Sequence, residues 1–127
     1  MESSINLIDN FNIENVIFNI GTYNELEKDL IKKLKEKNIK YYKDIKELNI
    51  NDSKLYFLNT GIYDNENDNS NVIYFKLNNY KFLFMVDASE KREIDIIRKY
   101  NMENIDFLKV GHHGSNTSSN IEFINTI

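Results

Sequence analysis

The sequence predicts an α/β, or α+β layered, fold in which strands and helices alternate along the chain. Three observations carry this. Short β-branched and aromatic runs recur between segments of helical periodicity. Proline is absent and glycine occurs only four times, which favours regular elements joined by short polar turns. Hydrophobic residues make up 41% of the 127, enough to build a core rather than a disordered tail.

The elements follow in order. Residues 14–19 (ENVIFN) read as a strand. Thr22 and Glu25 fit a capping box, and Leu26, Leu30, Ile31 and Leu34 keep helical spacing to Lys37. Residues 39–42 and 54–58 read as strands, with a polar turn over 49–53 between them. Residues 60–70 form a polar loop. Its carboxylates Asp64, Glu66 and Asp68 lack the glycine and terminal glutamate of a calcium loop, so they are expected to be solvated.

Residues 71–77 and 80–86 make the clearest hairpin, because Asn78 and Asn79 tolerate the positive φ of a two-residue turn. The second of these strands, KFLFMV, is apolar enough to be buried on both faces. A helix with Ile94, Ile96 and Ile97 then runs to Tyr100, and residues 105–110 form a last strand. Ser119 and Glu122 fit a second capping box that opens a final helix. No repeat and no linker divides the chain, so residues 1–127 read as a single domain.

Composition narrows the function. The net charge of −4 provides no basic field to gather nucleic acid, although bound metal can supply local positive charge to an acidic enzyme. Without cysteine there is no disulfide, thiolate zinc site or thiol nucleophile. Residues 1–10 lack the pattern of a signal peptide, and no apolar run has the length of a spanning helix, so the chain reads as soluble and unaddressed. No serine stands in a nucleophile elbow, and there is no glycine-rich phosphate loop.

Chemistry concentrates late in the chain. Both histidines, His112 and His113, sit between Gly111 and Gly114 at the end of an apolar strand. Neutral imidazole held at a strand end suits zinc or a similar ion, and flanking glycines let a ligand approach the backbone. Adjacent side chains diverge in extended chain, so one metal would take one of the two, with His112 preferred. The alternative is a turn in which both are simply polar. Asp87, at the end of KFLFMV, reads either as a metal ligand or as a helix N-cap three residues before Glu90, with Ser89 competing for the cap. Gly114, Ser115 and the hydroxyls that follow could hydrogen-bond a phosphate, or simply lead into the next helix.

The order hairpin, apolar strand, Asp87-Ala88-Ser89, helix, DFLKV strand and GHHGSNTSS resembles the second half of the metallo-β-lactamase-like domain of ComEC-type competence (DNA-uptake) proteins. The earlier stretch FNIENVIFNIGTYNELEKDLIKKLKEKNIKYY is similar to the family segment that follows its first metal motif. The resemblance implies part of an αββα sandwich with a mixed sheet, with Asp87 and His112 or His113 as metal ligands and Ser115 in the adjoining loop. It implies two zinc or manganese ions activating a water against a phosphodiester of DNA. It also implies attachment to a membrane channel domain, facing outside the cell.

Two departures accompany it. The family's His-x-Asp/His-x-Asp-His motif lies nowhere in these residues, because both histidines belong to the late motif. Val86 stands where the family usually has glycine. The expectation is therefore a partial domain over 1–127 that lacks the first metal motif and the closing strands. It would be inactive alone, bind metal weakly, and require a missing N-terminal segment or self-associate. The alternative is a non-enzymatic module whose GHHGS loop grips a phosphate or a protein partner.

Overall fold

A computed structural model describes residues 2–127, without the side chains of Glu2 and Ser3. The chain is α+β, with a two-stranded parallel sheet and a five-stranded mixed sheet. It forms two compact units, the residues up to Asp44 and Ile45–Ile127.

The first unit is α1 (Glu2–Asn10), β1 (Asn15–Phe18), α2 (Glu25–Glu36) and β2 (Lys40–Lys43). The helix α1 has no counterpart in the sequence reading. Strands β1 and β2 pair in parallel, Asn15 opposite Lys40 through Phe18 opposite Lys43. Ile8, Phe18, Leu30 and Leu34 form the core. The capping box of α2 is built by Asn24 and Glu27, not by Thr22 and Glu25. The Asn24 side chain accepts from Glu27 N at 3.0 Å, and Glu27 Oε2 accepts from Asn24 N at 2.8 Å. Leu26, in the first turn of α2, is 56% exposed. Hydrogen bonds from Lys33 and Lys37 lower the Asp9 pKa below its ordinary value.

The second unit contains β3 (Glu47–Ile50), β4 (Ser53–Phe57), β5 (Ile73–Leu77), β6 (Tyr80–Phe84), α3 (Glu90–Lys99), β7 (Phe107–Lys109) and α4 (Ile121–Thr126). The sheet order follows the sequence, β3 to β7, and only the β6–β7 pair is parallel. Strand β3 occupies part of what reads as a polar turn, because Leu48 pairs with Leu55. The β5–β6 turn is as expected, with φ of 49° and 72° at Asn78 and Asn79.

One face of the sheet is the core side. Val72, Leu83, Met85, Ile96 and Phe123 are fully buried there. On the other face Leu48, Leu55, Phe75, Phe82 and Phe107 line up in register across all five strands. Phe75, Phe82 and Phe107 stack at centroid separations of 4.8 and 4.7 Å. KFLFMV is thus fully buried on one face only, since Phe82 and Phe84 are half-buried. Among the described residues, no helix is long and apolar enough to cross a membrane.

The polar loop is more structured than its composition suggests. Asp68 is buried within a short 3-10 turn, Glu66–Asn69. Its carboxylate accepts from Ser89 N at 2.8 Å and Ser89 Oγ at 3.0 Å. Solvation of this residue was the wrong expectation, because Asp68 holds the start of α3 from a distance. Buried Arg92 donates to the backbone oxygens of Asp68 and Leu58, tying the same loop to α3.

Candidate metal half-site at two strand ends

Parallel pairing brings the candidate residues together. Phe84 lies opposite Lys109, so β6 and β7 end side by side and their following segments leave in the same direction. Such paired carboxyl ends are where open α/β sheets commonly bind ligands. Pairing continues beyond the strands: Met85 N donates to Lys109 O at 3.0 Å and His112 N to Val86 O at 2.9 Å. Asp87 and the histidines therefore sit on neighbouring, mutually bonded segments.

Two backbone features make this approach possible. A Cβ on Gly111 would lie 2.4 Å from Ala88 O, so only glycine lets the two segments come this close. Val86 has φ of +56°, in the left-handed region that disfavours a β-branched residue. This is the position at which the resembled family usually has glycine. His112 and His113 are also left-handed, with φ of 43° and 55°. The GHHG segment is a tight turn, not extended chain, so the argument that adjacent histidines must diverge does not apply to it.

Asp87 Oδ1 lies 3.6 Å from His113 Nε2, both at least partly exposed. That separation is long for a charge-assisted hydrogen bond of about 2.7–2.9 Å. It is close to the roughly 3.4 Å expected between two ligands about 2.1 Å from one tetrahedral ion. In distance alone the pair could supply two positions of a metal shell. Ser89, not Asp87, is the N-cap of α3, which leaves the Asp87 carboxylate unneeded by the helix. His112 turns elsewhere, with Nδ1 2.9 Å from Thr117 Oγ1. The geometry therefore places His113, not the preferred His112, beside Asp87.

Among the described residues, no group of three or more histidine, aspartate and glutamate side chains is placed to hold one ion. Asp87 and His113 instead line a shallow depression of about 400 Å³ together with Ile73, Phe84, Val86 and Lys109. Sequence reasoning did not select Lys109. Its signal is the strand register, which sets it opposite the end of β6.

The loop after the histidines is held by its own side chains. Ser118 Oγ lies 2.8 Å from Gly111 O and 3.0 Å from Ser115 O, with its one proton shared between the two carbonyls. Ser115 Oγ accepts from Thr117 Oγ1 at 3.2 Å, so the hydroxyl expected to meet a phosphate is engaged within the loop. Gly114 supplies a φ of +76° at the turn. Glu93, fully buried on α3, accepts from Ser119 N at 2.8 Å and Asn120 N at 2.7 Å. Burial raises the Glu93 pKa, and these two backbone donors pull it partly back. No family model matches the chain, and neither does any curated protein.

Proposed function

We propose that this chain carries the late half of a competence-type, metallo-β-lactamase-like centre, in which Asp87 and a histidine of GHHGS bind zinc or manganese to act on a DNA phosphodiester. The observation that carries the reading is the Asp87–His113 pair, set at ligand spacing on adjacent parallel strand ends. The left-handed backbone at Val86, where the resembled family usually has glycine, supports it further.

Two ligands fall short of the three or four that a zinc site usually draws from protein. The centre needs a partner segment of the His-x-Asp-x-Asp-His type, and residues 1–127 by themselves are catalytically incomplete. Hydrolysis requires a metal-bound hydroxide in line with the leaving oxygen and positive charge to receive the developing anion. At net charge −4 the chain otherwise repels its polyanionic substrate.

Calorimetry with zinc and with manganese tests the half-site. The expected Kd is weaker than about 1 μM, and Asp87→Ala or His113→Ala should weaken binding by about tenfold or more. Sub-micromolar affinity that survives replacement of both histidines would overturn the assignment. In a plasmid-cleavage assay the chain should be inactive, and fusion to a segment carrying the His/Asp motif should produce EDTA-sensitive cleavage that Asp87→Ala removes. EDTA-sensitive cleavage by the bare chain, lost on changing both histidines, would refute catalytic incompleteness.

A further inference from the structure

We infer that Ser115 and Thr117 are positioning residues which fix His112 in its Nδ1–H tautomer, leaving Nε2 as the nitrogen that can accept. The argument follows the protons along one hydrogen-bonded chain. His112 Nδ1 and Thr117 Oγ1 are 2.9 Å apart, a contact in which either atom could be the donor. Thr117 has a single hydroxyl proton, and its geometry directs that proton to Ser115 Oγ at 3.2 Å. Ser115 in turn directs its own proton to Asn116 Oδ1 at 3.4 Å, and Ser115 Oγ also accepts from Thr117 N at 3.4 Å.

An amide carbonyl oxygen accepts and cannot donate. The chain therefore ends on an acceptor, which favours this direction for the bonds before it. With the Thr117 proton directed to Ser115, Thr117 Oγ1 accepts from His112, so Nδ1 carries the hydrogen and Nε2 the lone pair. An unconstrained histidine side chain favours the opposite form, with the proton on Nε2. The loop thus holds His112 in its less common tautomer.

The consequence deepens the metal reading and rests on it for its purpose. An imidazole ligates through the nitrogen without a proton, and the partner of the other nitrogen sets which one that is. Serine and threonine hydroxyls in GHHGSNT would then orient His112, the neighbour of the Asp87–His113 pair, instead of meeting the phosphate themselves. The tautomer itself belongs to the metal-free protein, so it can be tested whether or not the chain binds metal.

The experiment is long-range ¹H–¹⁵N correlation of the histidine rings in the EDTA-treated full chain. It is recorded about two pH units above the ordinary imidazole pKa of about 6.5. With only two histidines, a His113→Gln variant identifies the His112 signals. The expected spectrum has protonated Nδ1 and unprotonated Nε2 at His112. Ser115→Ala removes the acceptor of the Thr117 proton and frees it for His112, so the tautomer should switch to Nε2–H. Thr117→Val should also lose the Nδ1–H form, and Thr117→Ser should keep it. An Nε2–H form in the unmodified chain, or one tautomer unchanged through Ser115→Ala and Thr117→Val, would overturn the inference. The unmodified chain decides the first point even if a variant fails to fold.

Discussion

Val86 occupies a left-handed conformation that costs a β-branched side chain about 1–3 kcal/mol. Glycine avoids that cost but loses roughly 0.5–1 kcal/mol through extra chain entropy on folding. Losing the half-buried valine side chain offsets most of that gain, so Val86→Gly should be close to neutral in urea unfolding, where most valine-to-glycine changes destabilise. Gly111 shows the opposite sensitivity. A Cβ there meets the Ala88 carbonyl, which belongs to the backbone and cannot rotate away. Gly111→Ala should cost about 2 kcal/mol and push the GHHG turn away from Asp87, which unfolding and zinc titration would both register. A variant as stable as the native chain would mean that the strand ends are not held this tightly.

At the scale of elements, α3 and α4 each begin on a carboxylate borrowed from another part of the chain. Asp68 holds Ser89 at the start of α3, and Glu93 holds Ser119 and Asn120 ahead of α4. Asp68→Ala leaves a buried loop and a helix terminus without their acceptor, and should cost about 1–2 kcal/mol in unfolding free energy. Glu93 carries a pH dependence. Its folded pKa is raised, so its contribution is fully present below the unfolded value, near 4.5, and is lost as pH rises through the folded pKa. Glu93→Gln has no charge to bury. The stability difference between variant and native chain should therefore move in the variant's favour from pH 5 to pH 7. A difference that stays constant would mean that Glu93 is not a strained carboxylate.

For the whole molecule, the second sheet face is the unresolved demand. Phe107 on the edge strand β7 is 51% exposed, and Tyr80 beside it is 55% exposed. Exposed aromatic surface next to an open strand edge favours association. The chain should elute from size-exclusion chromatography at an apparent mass that falls on dilution, and Phe107→Lys should shift it towards monomer. A sharply melting monomer at every concentration would show that this face needs no further cover.

The sequence by itself determined the alternation of elements, the Asn78-Asn79 hairpin and the place of Asp87, His112 and His113 at strand ends. These are local properties, set by periodicity, turn chemistry and the position of glycine. It left α1 and β3 unseen because α1 carries only a weak apolar stripe, and β3 is a strand chiefly through its pairing with β4. It misplaced the cap of α2 because Thr22 and Asn24 are both good caps, and the reciprocal bond with Glu27 selects between them. Only the tertiary structure decided that His113 faces Asp87 while His112 faces Thr117, and that Asp68 is buried. His112 meets Thr117 through the left-handed turn at GHHG. The Asp87–His113 approach and the burial of Asp68 depend on the parallel register of β6 with β7 and on contacts between residues about twenty or more apart, to which no local pattern is sensitive.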